Sequence, residues 1–156
     1  IPEYRDQHHT SEMQLNGGLS GSWAVPGITN QGFLISFEDL VLPASPHVFL
    51  TWYTFDLAGN PLWFAGNTTF EMGDTYASFD MLHVSGGSFM GTTEPDREVA
   101  GAVTLRARGC NDLTLEYDFS TMGLGQGAFG LKRVASLETQ GYACRDTQAR
   151  IEALGQ

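Results

Sequence analysis

HVFLTWYTFDLAGNPLWFAG, running from His47 to Gly66, reads as two strands joined by a tight turn. Asp56-Leu57-Ala58-Gly59-Asn60-Pro61 supplies the turn, with Gly59 free to take positive φ and Asp56 placed to accept from the backbone that follows. Val48–Phe55 and Leu62–Ala65 flank it with the aromatic and β-branched residues that suit a pleated surface. One face carries Val48, Leu50 and Trp52, and the other carries Phe49, Thr51, Tyr53 and Phe55. A strand with one wet face alternates apolar with polar. This one is apolar on both sides, so the outer side of its sheet is expected to meet a ligand, a partner or another part of the chain.

The same period-2 pattern recurs on either side of this hairpin. Upstream, Leu19–Val25 and Phe33–Leu42 read as strands, the second with Phe33, Ile35 and Phe37 on one face. Downstream, Thr75–Val84 places Ala77, Phe79 and Met81 inward. Val99–Arg108 places Val99, Gly101, Val103, Leu105 and Ala107 on one face, and Leu113–Phe119 answers with Leu113, Leu115, Tyr117 and Phe119. Arg106 and Glu116 are expected to pair across that hairpin. A last strand covers Ala128–Val134 after the glycine-rich run Met122–Gly127, which precedes a strand rather than a helix and so reads as a turn. Roughly eight antiparallel strands with short connections predict an up-and-down barrel, since closure removes edges and few strands carry the lysines that guard an open edge. The division is an arm over 1–16, a barrel over 17–135, and a tail over 136–156 with a short helix near 147–154.

A chain of 156 residues with 42% hydrophobic content is long enough to close one core. Its net charge of −10 argues against nucleic acid and against direct contact with an anionic membrane, leaving membrane contact only through a partner. With Ile1 rather than Met at its start, the sequence is expected to have lost a signal peptide and to be secreted or periplasmic. Cys110 and Cys144, an even pair, are expected to form one disulfide worth roughly 3–4 kcal/mol by loop closure.

Gly18-Leu19-Ser20-Gly21-Ser22-Trp23, Gln31-Gly32-Phe33, Trp52-Tyr53-Thr54-Phe55-Asp56 with Gly59-Asn60-Pro61 and Trp63, Ser85-Gly86-Gly87 with Phe89, Cys110-Asn111, and Leu131 with Arg133 form an ordered series. Over residues 17–134 it resembles a family of small secreted or periplasmic proteobacterial β-barrel domains that carry no assigned function. That likeness implies an exported β domain. A narrower likeness is to the calycins, the lipocalins and avidins, which set a Gly-x-Trp at the start of the first strand and a late Arg over its indole. It implies that Gly21, Trp23 and Arg133 close one end of the barrel.

No nucleophile elbow, triad order or metal-ligand spacing stands out, so no catalytic residue, metal or cofactor is expected and the chain is read as non-enzymatic. His8-His9 read as solvated polar residues. His47 and His83 sit at strand ends, and Glu94, Asp96 and Glu98 read as a solvated acidic loop. The candidate binding residues are Trp52, Tyr53, Phe55, Trp63 and Phe64. The first reading is an exported interaction or structural module that docks, on a partner or on itself, through this aromatic wall. The alternative is a carrier of a small apolar ligand inside the barrel. Trp23, Phe33, Ile35, Phe37, Phe79, Leu105 and Tyr117 all pointing inward would fill the interior and favour the wall.

Overall fold

Eight antiparallel strands close into a barrel in which each pairs with its neighbour in sequence and the last returns to the first. The structure is a computed structural model and describes residues 12–39, 45–136 and 144. The strands are β1 Gly21–Ala24, β2 Gly32–Glu38, β3 His47–Phe55, β4 Pro61–Thr69, β5 Tyr76–Ser85, β6 Asp96–Gly109, β7 Asp112–Phe119 and β8 Gly125–Ser136. Short 3₁₀ turns at Gly17–Leu19 and Ser120–Met122 are the helical pieces among the described residues. The expected helix near 147–154 and the first eleven residues, His8 and His9 included, lie outside the described residues.

Alternation decides which side chains make the core. Phe33, Ile35 and Phe37 of β2, Val48, Leu50 and Trp52 of β3, and Ala77, Phe79 and Met81 of β5 are buried, while the residues between them face out. Two departures from the expected pattern have local causes. Val99 is exposed and Ala100 is fully buried, because the pairing slips between Met81↔Gly101 and Leu82↔Val99. Ala100 is the extra residue of a bulge, and one inserted residue inverts the parity of everything beyond it. Arg106 stands opposite Thr114 rather than Glu116, so its Nε reaches Glu116 on the diagonal at 3.1 Å.

The connections divide the barrel into two ends. The β2–β3, β4–β5 and β6–β7 links lie at one end, and the β1–β2, β3–β4, β5–β6 and β7–β8 turns lie at the other. The first end is closed by the segment that sequence assigned to the arm. Met13 and Leu15 are buried there, and their amides donate to the carbonyls of Ala107 and Asp74 at 3.0 and 2.8 Å. Residues 12–16 therefore cap the core, with exposed Glu12 and Gln14 alternating against buried Met13 and Leu15.

Arg133 locks that cap. Its guanidinium lies 4.7 Å over the Trp23 ring, the arrangement that the calycin likeness implies. Nη2 donates to the Gly18 carbonyl at 2.9 Å, Nη1 to Ser20 at 3.0 Å, and Nε and Nη2 both to Cys110 at 3.0 and 2.6 Å. Trp23 Nε1 donates to Leu19 O at 3.0 Å, so the indole's polar edge is satisfied inside the core. Burial pushes the Arg133 pKa below its ordinary value. Cys110 also forms the disulfide with Cys144, with Cα atoms 5.7 Å apart. Gly18 lies against it, where a Cβ would stand 2.6 Å from the Cys144 nitrogen. A disulfide of this kind persists in an oxidising, extracellular-type environment.

Candidate functional site

The β3–β4 hairpin delivers its aromatic residues to three different places. Its turn is fixed by Asp56, whose Oδ1 accepts from the amides of Ala58 and Asn60 at 2.9 and 2.8 Å. Gly59 takes φ +88°, as the turn requires. The hydrogen bond from the Asn60 amide, with those from its side chain and from Ala58 and Gly59, holds the Asp56 carboxyl below the ordinary aspartate range. The register that follows pairs Trp52 with Phe64 and Tyr53 with Trp63. In a period-2 strand those two pairs must point to opposite faces.

Trp52 and Phe64 are inside the barrel, so they are not part of an outer docking wall. Tyr53 and Trp63 stand outside, about half exposed, and Phe55 sits at the open end of β3. The outer pair is not isolated. Thr51 lies on the same face between Leu34 and Ala65 and is only 8% exposed. Leu34, Phe49, Tyr53 and Trp63 surround that position by register, forming one continuous apolar patch.

Trp23, Phe33, Ile35, Phe37, Phe79, Leu105 and Tyr117 all point inward, as a filled barrel requires, yet a cavity of about 180 Å³ remains at the open end. Trp52, Phe64, Phe33 and Phe119 line its depth, Tyr117 and Phe129 its side, and Val25, Ile28, Phe55 and Leu124 its mouth. Its polar wall includes Thr54 and Gln31, whose side chains are joined by a 2.6 Å bond from Thr54 Oγ1 to Gln31 Oε1. Opposite Tyr117, β8 contributes no side chain at Gly127, which makes room for the Tyr117 ring; Gly127 itself does not line the cavity. A Cβ at that position would lie 3.0 Å from the Tyr117 hydroxyl.

Sequence reasoning placed three of the cavity's residues in its candidate set, Trp52, Phe55 and Phe64; Trp52 and Phe64 lie inside, and Phe55 stands half-exposed at the mouth. It missed Tyr117, Phe119 and Phe129 as site residues. The signal for them was present in the inward parity of Leu113, Leu115, Tyr117 and Phe119, set against a glycine-rich β8.

Of the remaining candidates, His83 backs the site without lining it, its ring centroid 6.2 Å from that of Phe64. His83 Nδ1 is 3.2 Å from Glu98 Oε1, directly across the β5–β6 ladder, and Glu94 pairs with Arg97 at 2.8 Å. Among the described residues no three His, Cys, Asp or Glu side chains come together as metal ligands would. No helix among the described residues is long and apolar enough to cross a membrane. No protein-family model, curated protein or solved structure matches the chain.

Proposed function

We propose that this is a non-catalytic, exported binding protein whose ligand is a small apolar molecule held in the ring-lined cavity at the open end of the barrel. One observation carries the reading: an otherwise filled interior leaves about 180 Å³ free where seven aromatic rings converge. An apolar cavity of roughly 150 Å³ is enough to hold benzene, whereas drug-sized ligands need about 300 Å³ or more. The occupant is therefore no larger than a single ring or a short branched chain. Each buried CH₂-sized group contributes about 0.8 kcal/mol, so a six-carbon guest gains up to about 5 kcal/mol before its loss of freedom is subtracted. Even the full gain corresponds to a Kd of about 0.2 mM, so the expected affinity is millimolar or weaker. Calorimetric titration with benzene tests this: one-to-one saturable binding is expected, and a featureless titration up to the solubility limit rejects it. The disulfide, stable only in an oxidising compartment, supports export.

A second reading is supported by the outer patch of Leu34, Phe49, Tyr53 and Trp63, four side chains each between 42% and 46% exposed on one face. Contiguous exposed apolar surface marks partner sites. In this reading the wall docks a protein or a second copy of the chain while the cavity serves its own ligand.

A further inference from the structure

Resting on the cavity reading above, we infer that the preferred occupant is a small organic cation of the methylated-ammonium class, caged by the rings of Trp52, Tyr117, Phe129 and Phe55. Such a group has an apolar C–H surface and a positive charge, so it satisfies the apolar lining while gaining from the ring quadrupoles.

The ring geometry is the first support. The Trp52 plane stands at 78° to Tyr117 and 89° to Phe129, with centroids 5.5 and 6.4 Å away. Tyr117 and Phe129 are stacked at 13° and 5.3 Å, so the pair presents one free ring face, perpendicular to Trp52. A compact, roughly spherical head set in the corner of two perpendicular walls meets π surface on more than one side. A flat neutral ring can stack on one wall and meet the other edge-on, so the preference for a cation over such a ring rests on charge.

Charge is the second support. No Lys, Arg or His lines the cavity. The turns at the same end carry Asp56 and Asp118, and both carboxylates are held in ionised form by hydrogen bonds from their own turns. Arg97, in the strand that follows the β5–β6 turn at that end, is already paired with Glu94. With a net charge of −10, the protein's field draws cations toward the mouth and repels anions. Size agrees, since a trimethylammonium head is comparable with the benzene-sized guest that a cavity near 150 Å³ accepts.

The test compares choline with 3,3-dimethylbutan-1-ol, which has the same shape with carbon in place of the charged nitrogen. Both are titrated into the parent protein at low ionic strength by calorimetry, alongside benzene. Choline is expected to bind at least tenfold more tightly than its neutral isostere, and the preference is expected to shrink as salt is added. Equal or tighter binding of the isostere overturns the cation inference and leaves the cavity reading intact. Benzene binding without choline binding has the same meaning. Saturation by none of the three overturns both. Phe55→Leu, at a half-exposed position of the rim, removes one ring without opening the core. It should weaken choline about threefold and the isostere less; equal loss for the two also counts against the cage.

Discussion

Replacing Arg133 with methionine keeps the length of the side chain and removes everything that makes it a clamp. Four N–H contacts to three carbonyls disappear, together with the stacking over Trp23 at 4.7 Å. Gly18 and Ser20 are buried, so their carbonyls lose a partner that water cannot easily replace, at about 1–3 kcal/mol each. Cys110 is half-buried, and its carbonyl recovers solvation. The ring contact contributes about 0.5–2 kcal/mol, and freeing the Arg side chain returns up to about 2 kcal/mol of rotamer entropy. The net expectation is a loss of about 3 kcal/mol, or roughly 6–12 °C in Tm for a domain of this size. Urea unfolding of the disulfide-intact protein, monitored by tryptophan fluorescence, gives the number directly from the midpoint at constant slope. Arg133→Lys separates charge from shape. A lysine is a point donor that cannot span three carbonyls, so it should recover less than half of the loss. A methionine variant within about 0.5 kcal/mol of the parent, or a lysine variant equal to it, would refute the clamp.

Three further outcomes are expected. The Asp56 carboxyl sits below its ordinary pKa, so its contribution is present above that ordinary value and fades as pH falls through the folded one. The stability difference between the parent and Asp56→Asn should therefore narrow on acidification from about pH 5 to pH 3, and a constant difference in pH-dependent melts would contradict this. Reduction of Cys110–Cys144 opens a link between residues 34 apart and should cost roughly 3–4 kcal/mol, or about 10 °C, with an unchanged melt as the contrary result. Tyr53→Ser with Trp63→Ser removes two exposed rings and should leave Tm nearly unchanged while abolishing any association seen by size-exclusion chromatography; unaltered elution of an associated parent removes the outer wall as an interface.

Most of the barrel was legible because its strands alternate, and alternation is a local property. Phe33, Ile35, Phe37 and Val48, Leu50, Trp52 go inward by parity alone, and the Asp56–Asn60 turn follows from residues that favour it. Parity failed at Val99, where a single bulged residue inverted it, and a bulge leaves no compositional mark in a run of small apolar residues. Met13 and Leu15 were hidden by polar neighbours, because two apolar residues in a polar stretch carry too little period to show. The site was less legible than the fold for a different reason. Trp52 and Phe64 were visible as aromatics, but the cavity they line is completed by Tyr117, Phe119 and Phe129 from strands far along the chain. A space shared between distant strands is read from the closed barrel, not from the hairpin.

The cavity is tested most directly by mapping where a guest sits. In a ¹H–¹³C NMR titration with benzene, the methyls of Ile28 and Leu124 and the Trp52 indole should shift together along one saturable curve, while Leu34 and Val99 on the outer wall stay still. Shifts confined to Leu34, Phe49, Tyr53 and Trp63, or no saturable shift at any residue, would contradict the account.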